Sequence, residues 1–246
     1  MSAVDDYVAG LQELLERFRQ TQRDNLERAA EIVAASLAAG GVLHLFGTGH
    51  SHMIAEEVFY RAGGLIPVNA MLDAEVVLSG GATRSTQTER TSGKAAEIAA
   101  RYDLRGGDAG VVISNSGRNP APVEMAQLMR ARGMAVIAIT SMRHSSAAAA
   151  IEPPGKRLFE VADVVLDNGG AHGDAALELP GVARPAGPTS TVVGAAIAQS
   201  LIIATMENLA QRGLRVINLP SANVDGGEAS DLAAEFAKVR GRIRHV

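Results

Sequence analysis

The sequence predicts an α/β fold in which helices cover both faces of a parallel sheet. Of its 246 residues, 47% are hydrophobic and only 3% are aromatic, a composition that suits close packing of aliphatic helices on a sheet. Short apolar segments with the length of strands alternate with longer segments of helical periodicity. Because right-handed crossovers join such elements as parallel strands, the alternation favours a parallel sheet.

The first elements along the chain are a helical segment, a strand and a helix. Residues 4–39 carry apolar side chains at helical spacing and end at two glycines, which predicts one long helix or two in line. Residues 42–46 form a short apolar run, typical of a strand that is covered on both faces. Residues 51–61 are predicted to be helical, whereas residues 72–93 are polar and aperiodic and are predicted to form an irregular loop.

The remaining elements keep this alternation. Asn119 before Pro120 is typical of a helix start, because asparagine caps free N–H groups and proline is tolerated at the first helical position. The predicted strands are 107–113, 134–140 and 161–166, and the predicted helices are 94–102, 120–132, 189–212 and one in the C-terminal tail.

Charge and cysteine content exclude several classes of partner and chemistry. The formal net charge is −4 at pH 7, and no cluster of Lys and Arg alternates with aromatic residues, so we expect no nucleic-acid partner. The absence of cysteine excludes disulfides, thiolate catalysis and cysteine metal sites. The N-terminus lacks an apolar signal segment, and Gln199 and Ser200 interrupt the most apolar later stretch. We therefore expect no membrane segment and a cytoplasmic location.

Two predicted strand ends are followed by residues suited to binding an anion. Residues 47–51 read GTGHS, and residues 114–120 read SNSGRNP. In a parallel sheet, ligands bind beyond the carboxyl ends of the strands, where N–H groups at helix N-termini point outward. Glycine lets the backbone approach a ligand and hydroxyls donate hydrogen bonds, so the two loops together could hold a phosphate without any lysine.

Neither loop fits the common nucleotide-binding motifs. In the dinucleotide pattern G-x-G-x-x-G, the third glycine would fall on His52, and the pattern G-x-x-x-x-G-K-[ST] is absent. Each loop alone also fits an ordinary strand-to-helix turn. The pair is therefore more informative than either member.

The pair resembles the SIS (sugar isomerase) domain, a family that binds phosphosugars. The resemblance covers residues 40–225 and is greatest to stand-alone bacterial members that carry GTGHSHMIAEEVFYRAGG, SNSGRNP and SANVDGG together. It implies a Rossmann-like, three-layer αβα sandwich with a five-stranded parallel sheet and active sites near subunit interfaces. We accordingly expect an N-terminal helical segment, 1–39, that packs on the domain or on a dimer partner, and a SIS domain with a C-terminal helical tail, 40–246.

The resemblance also implies which residues bind the sugar phosphate. By motif position, the phosphate-binding hydroxyls fall on Ser51, Ser114 and Ser116. Many members have threonine where this chain has Asn119. The predicted phosphosugar-binding residues are Gly47, Gly49, His50, Ser51, Ser114, Asn115, Ser116, Gly117 and Asn119.

Two further residues are predicted to be catalytic. An isomerase or lyase needs a base that abstracts a proton, and often a second group that assists ring opening. Glu89 lies between the two loops, where related SIS enzymes can carry an acid/base glutamate, and a solvated carboxylate on a mobile loop is the alternative. His172 lies on a long loop and is predicted to assist ring opening. Glu56 and Glu57 are interpreted as favouring the dipole of the first helix after GTGHS.

The histidines of the first loop could bind a metal, and the C-terminal motif could contribute to a site. His50 and His52 could bind zinc with His172 or Asp73, but no HExxH or spaced acidic set accompanies them, so we expect no metal and no cofactor. Asp225, in SANVDGG, either reaches a site or forms a turn before the last helix.

Three functions remain open from the sequence. An aldose–ketose isomerase of a sugar phosphate with a general-base glutamate is favoured, and a sugar-phosphate lyase or etherase needs the same proton abstraction. A non-catalytic phosphosugar sensor is less favoured, because no helix-turn-helix or basic face is visible. The N-terminal helix and the helix from Thr189 have more apolar surface than the sheet covers, so we expect a homodimer or homotetramer.

Overall fold

Five short parallel strands form the central sheet. They are β1 (Leu43–Gly47), β2 (Val68–Ala70), β3 (Ala109–Ile113), β4 (Ala135–Thr140) and β5 (Val164–Asp167). In the computed structural model, which describes residues 2–221, 223 and 229–246, their order is β2-β1-β3-β4-β5. Every pairing is parallel, which confirms the predicted α/β architecture.

Helices cover both faces of this sheet. They are α1 (Ala3–Thr21), α2 (Arg23–Ala38), α3 (Ser51–Glu57), α4 (Ala82–Arg90), α5 (Lys94–Ala99), α6 (Pro120–Ala131), α7 (Met142–Ala147), α8 (Leu158–Val161), α9 (Ser190–Gln211) and α10 (Ala229–Val239). A separate antiparallel pair consists of β6 (Ala175–Leu177) and β7 (Ala186–Pro188).

The sheet separates two hydrophobic cores, which makes the fold a three-layer sandwich. Along β3, Val111 and Ile113 face the core formed with α2, α3 and α9, whereas Val112 faces the core formed with α5, α6 and α8. Alternation along a strand places successive side chains on opposite faces. All five residues of β3 are buried, as expected for a strand covered on both sides.

Two predictions about local structure were wrong. Residues 72–93 are not irregular throughout, because Leu78–Gly80 forms a 3₁₀ turn and Ala82–Arg90 forms α4. The helical pattern was hidden since the buried residues of α4 are polar, Ser85 and Thr88. The predicted helix over residues 51–61 ends at Glu57.

The N-terminal segment is two helices separated by Gln22, and α1 also contacts residues beyond the sheet. The hydroxyl of Tyr7 donates a 2.6 Å hydrogen bond to the carbonyl oxygen of Pro188, at the end of β7. The division of the chain at residues 39 and 40 stays a prediction. By length and composition alone, α9 could span a membrane, and one of its faces, with Val193, Ile197 and Leu201, lies in the first core.

A buried polar network closes the amino edge of the sheet. His44, within the apolar run of β1, is fully buried, and its Nε2 lies 3.1 Å from Oδ2 of Asp108. Nδ2 of Asn69 lies 3.0 Å from Nδ1 of the same imidazole. Arg242 donates through Nη2 to both oxygens of Asp108, at 2.9 and 2.7 Å. These contacts hold the C-terminal tail against the edge opposite to the two predicted binding loops.

Candidate functional site

The two predicted binding loops follow neighbouring strands. β1 ends at Gly47 and β3 at Ile113, and these two residues are directly paired. Because adjacent strands lie about 4.8 Å apart, residues 48–51 and 114–119 leave the carboxyl edge of the sheet side by side. The fold therefore brings together the two loops that the sequence singles out.

The first loop turns sharply into α3. A side chain at Gly47 would come within 2.5 Å of the backbone of Ser51, and Gly49 has a φ of +54°, so glycine is required at both positions. The side chain of His50 is exposed and makes no capping hydrogen bond to α3. Close approach of the backbone to a ligand is thus possible along this turn.

The second loop is held by its own backbone and by residues that follow β4 and β5. Oγ of Ser114 accepts a 3.2 Å hydrogen bond from the N–H of Gly117. Gly117 has a φ of +58°, and a side chain there would collide with Ser145 of α7. Oδ1 of Asn115 accepts a 3.0 Å hydrogen bond from Nδ2 of Asn168. The side chain of Asn115 therefore already has a structural partner.

Two of the three predicted phosphate-binding serine hydroxyls have no partner within the described part of the chain. Ser51, at the start of α3, and Ser116, in the middle of the second loop, are half-buried and make no side-chain hydrogen bond there. Ser114 accepts from Gly117, and its own hydroxyl proton remains to be donated. Hydroxyl donors on two adjacent loops suit the oxygens of a phosphate.

Helix α4 connects the two loops through side chains one turn apart. Oγ of Ser85 accepts a 3.1 Å hydrogen bond from the N–H of Gly49, in the first loop. Oε1 of Glu89 accepts a 2.7 Å hydrogen bond from Nδ2 of Asn119, at the end of the second loop. Residues four apart share a helix face. Glu89 is thus half-buried on a helix beside both loops, and not on an irregular loop.

Asn119 and the glutamates of α3 differ from their predicted local roles. Asn119 occupies the N-cap position of α6, but its side chain makes no capping hydrogen bond and contacts Glu89 instead. Glu56 and Glu57 are the last residues of α3, where a negative charge opposes the helix dipole, so that interpretation was wrong. Glu57 forms a 2.9 Å ion pair with Arg61.

His172 lies beside a second histidine at the same edge of the sheet. Its ring centroid is 4.5 Å from that of His144, which belongs to α7. The N–H of Gly173 donates a 3.4 Å hydrogen bond to Nδ1 of His144. Burial lowers the pKa of His144, and the charges of His172 and Arg118 lower it further, whereas Asp174 acts in the opposite direction.

The start of α9 fixes the loop that contains His172. Oδ1 of Asp174 accepts hydrogen bonds from the N–H groups of Thr189, at 3.2 Å, and Ser190, at 2.9 Å. Oδ2 of Asp174 accepts a 2.6 Å hydrogen bond from the Ser190 hydroxyl. A side chain at Gly170 would lie 3.6 Å from Oγ1 of Thr189 and 3.7 Å from Oδ1 of Asn115, so this loop borders the second binding loop.

Sequence reasoning missed four residues of this region, namely Ser85, Arg118, His144 and Thr189. Nε of Arg118 and Oγ1 of Thr189 are shielded from solvent and have no hydrogen-bond partner in the described ranges. Leaving such a group unpaired costs about 1–3 kcal/mol, which makes it a candidate for a ligand contact. Arg118 lies within SNSGRNP and His144 follows the end of β4, so the motif and the strand end could have identified both residues from the sequence.

The two histidines of the first loop are not placed together. His50 is exposed, whereas His52 is buried with its Nδ1 hydrogen-bonded to the carbonyl of Gly49 and its Nε2 3.8 Å from Glu56. Across residues 2–221, 223 and 229–246, no three His, Cys, Asp or Glu side chains lie close enough to hold a metal ion.

The C-terminal motif SANVDGG lies largely outside the described residues, including Asp225, Gly226 and Gly227. Leu219, just before it, exchanges backbone hydrogen bonds with Gly63 and Gly64, at 2.7 and 2.9 Å. Those glycines precede β2, at the edge of the sheet away from the binding loops.

Comparison with known sequences identifies close relatives. Residues 6–141 match the family model described as the SIS domain. A UPF0309 protein from Geobacillus thermodenitrificans is 39% identical over 225 residues, which cover 92% of this chain and 90% of the relative. A UPF0309 protein from Listeria monocytogenes is 38% identical over 230 residues, covering 94% of this chain and 93% of the relative.

Solved structures share the fold at low identity. A phosphoheptose isomerase from Francisella tularensis has a TM-score of 0.58 and 16% identity, covering 84% of this chain and 100% of its own. A phosphoheptose isomerase from Neisseria gonorrhoeae has a TM-score of 0.51 and 17% identity, covering 83% of this chain and 97% of its own. At this identity, the likeness establishes the fold of the sheet and its helices.

Proposed function

We propose, from the premise that this chain belongs to the SIS domain family, that it binds a sugar phosphate and interconverts its aldose and ketose forms. The observation that carries this proposal is the pair of unpartnered hydroxyls, Ser51 and Ser116, on adjacent loops with Glu89 beside them. The phosphoheptose isomerases that share the fold support the same class of ligand.

The phosphate is bound by hydroxyls and backbone amides rather than by lysine. Ser51, Ser114 and Ser116 donate to its oxygens. At Gly49, where a side chain would meet nothing within 4 Å, the backbone is open to the ligand, whereas Gly47 and Gly117 permit the tight packing of the two loops. The N-termini of α3 and α6 follow the two loops and add positive potential. Hydrogen bonds to a charged phosphate oxygen are stronger than hydrogen bonds between neutral groups, so these hydroxyl and amide donors suffice to bind the phosphate without a cation.

Glu89 moves the proton between adjacent carbons. It takes the proton from the carbon next to the carbonyl, which gives an enediolate, and returns it to the former carbonyl carbon. The proton of the neighbouring hydroxyl moves to the former carbonyl oxygen, so that this hydroxyl becomes the new carbonyl. Asn119 holds Oε1 of Glu89, and Oε2 makes no hydrogen bond within the described part of the chain. His172 is exposed on the loop between β5 and β6, which borders the second binding loop, and it assists ring opening.

Exposed apolar residues support assembly into a homodimer or homotetramer. Val4 and Leu15 lie on one face of α1 and are 70% and 37% exposed. Val192 and Ile203 lie on one face of α9 and are 48% and 64% exposed. Residues eleven apart share a helix face, so each helix presents two exposed apolar side chains on one face. A phosphate ester does not cross a lipid bilayer, and we propose that the protein acts in the cytoplasm.

A ligand screen followed by product analysis tests the proposed function. Thermal-shift measurements against a panel of aldose and ketose phosphates identify a ligand, and NMR follows its incubation with the protein. We expect binding and conversion to the matching ketose or aldose. Release of an elimination product would instead identify a lyase, and binding without any product a sensor. If no sugar phosphate binds, the proposal is wrong.

A further inference from the structure

Arg118, in the second binding loop, is a guanidinium without a counter-ion. Its Nε is shielded from solvent and lacks a hydrogen-bond partner, and no carboxylate of the described ranges lies within ion-pairing distance. Other arginines of the chain, such as Arg101 and Arg242, pair with buried carboxylates. Arg118 as a whole is half-buried and its Nε alone is shielded, so an anionic ligand that approaches the guanidinium could supply the hydrogen-bond partner that Nε lacks.

The surroundings of Arg118 do not supply a counter-ion. The charge of Arg118 acts on His144, whose ring lies 4.5 Å from that of His172. Asp174 is an acidic residue whose charge acts on His144, and the start of α9 hydrogen-bonds to both of its oxygens. Asp174 is thus held by the start of α9 and forms no ion pair with Arg118 in the described chain.

Arg118 directly follows a residue that packs against the helix after β4. The preceding residue, Gly117, contacts Ser145 of α7, the helix that follows β4, and its carbonyl accepts a 2.7 Å hydrogen bond from the N–H of Leu158. The phosphate loops follow β1 and β3, and β4 is the next strand of the sheet. With strands about 4.8 Å apart, α7 lies about one strand spacing beyond the second phosphate loop. An extended sugar chain can span that separation.

We propose that Arg118, together with His144 and His172, forms a second anion subsite. The ligand would then be a sugar phosphate with a further anionic group, a carboxylate or a second phosphate, at the end away from the first phosphate. Guanidinium binds both groups through paired N–H donors. Nδ1 of His144 accepts from Gly173, which leaves its Nε2–H to donate. This inference rests on the proposed function and narrows its substrate class.

Calorimetry with three probes tests the subsite. Fructose 6-phosphate has no second anion, 6-phosphogluconate has a carboxylate and fructose 1,6-bisphosphate has a second phosphate. One or both of the doubly anionic probes should bind wild-type protein about 10- to 100-fold more tightly than fructose 6-phosphate. Arg118→Gln should abolish this preference and leave fructose 6-phosphate binding unchanged. Because Arg118 has no partner to lose, this variant should keep the wild-type Tm.

The control and the probes separate the possible outcomes. Arg143→Gln removes an exposed arginine of α7 next to His144 and should keep the preference. Tighter binding of 6-phosphogluconate alone identifies a carboxylate, and tighter binding of the bisphosphate alone identifies a phosphate. Equal wild-type affinities for all three probes, or an equal loss for all three in Arg118→Gln, would overturn the subsite. If the protein binds fructose 6-phosphate but neither probe with a second anionic group, only this inference is lost. If it binds no sugar phosphate, the proposed function is lost too.

Discussion

Nδ2 of Asn119 donates a 2.7 Å hydrogen bond to Oε1 of Glu89. The two residues belong to different elements, since Asn119 precedes α6 and Glu89 lies in the last turn of α4. One turn earlier, Ser85 binds the first loop through Gly49. The proposed base is therefore positioned by the same loops that are proposed to hold the phosphate, which fixes the distance between base and substrate.

Replacing Glu89 with Gln should abolish turnover and leave binding intact. Glutamine retains an Oε1 acceptor for Asn119 but cannot take a proton. Loss of a general base lowers kcat by about a hundred- to ten-thousand-fold. Steady-state kinetics with the identified substrate, and calorimetry with the same compound, measure the two quantities. Glu97→Gln, on the exposed surface of α5, is the control. Near wild-type kcat in Glu89→Gln would exclude Glu89 as the base.

Removing the side chain of Asn119 should affect kcat more than KM. Asn119→Ala leaves Glu89 without its observed partner, so the carboxylate is free to leave the reactive position. We expect kcat to fall by about tenfold, the equivalent of one hydrogen bond, with little change in KM. An increase in KM at constant kcat would show instead that Asn119 contacts the substrate, as the family resemblance implies.

The fold could be predicted from the sequence wherever apolar periodicity was strong. β1, β3 and β4 were found because their residues are apolar and buried on both faces. β2 was missed because only three residues, Val68–Ala70, form it. α4 was missed because its buried positions are polar, so no hydrophobic period marks the helix.

Only those parts of the site that a local sequence pattern marks could be predicted. Glycines and hydroxyls after two strands marked both loops, since these residue types are needed at a phosphate. The contact between Glu89 and Asn119 joins residues thirty positions apart and follows from the packing of α4 on α6, which no local pattern encodes. In the same way, whether Arg118 finds a partner depends on which side chains the fold brings near it, and no local pattern shows that.

Replacing Ser116 with Ala should weaken phosphosugar binding and leave the fold unchanged. The Ser116 hydroxyl makes no hydrogen bond within the described chain, so stability loses nothing, whereas a charge-assisted hydrogen bond to the phosphate is lost. The expected loss is about 1–3 kcal/mol of binding free energy, measured by calorimetry. Ser79→Ala, at an exposed position of the 3₁₀ turn, should bind normally. Unchanged affinity in Ser116→Ala would remove it from the phosphate site.

Charges at the two exposed apolar residues of α9 should dissociate the proposed oligomer. Val192→Glu with Ile203→Glu places two carboxylates on one helix face, where burial against another subunit would desolvate them. Sedimentation velocity should show a dimer or tetramer for wild type and a monomer for the double variant. Val182→Glu, at a 51% exposed position before β7, is the control and should assemble normally. A wild-type protein that is monomeric at micromolar concentration would refute the assembly.

Replacing Arg242 with Met should destabilise the fold in a pH-dependent way. Burial alone would raise the pKa of Asp108, but hydrogen bonds from His44, Arg242 and the N–H groups of Arg105 and Val42 outweigh it and hold the pKa well below its usual range. A depressed carboxyl pKa stabilises the protein above the unfolded value, about 3.9, and this contribution is lost as pH falls through the folded value.

At pH 7, Arg242→Met leaves the buried Asp108 charge with less compensation, and we expect a loss of about 3 kcal/mol in the free energy of unfolding. At acidic pH the difference should shrink, because protonated Asp108 no longer needs a cation. Urea unfolding of wild type and variant at a series of pH values, from pH 7 down to the most acidic pH at which both still fold, measures both effects, and the series must extend below the unfolded value of about 3.9. Arg240→Met, at an exposed position of the same tail, is the control. A difference that stays constant with pH would mean that Arg242 contributes through packing rather than through the charge of Asp108.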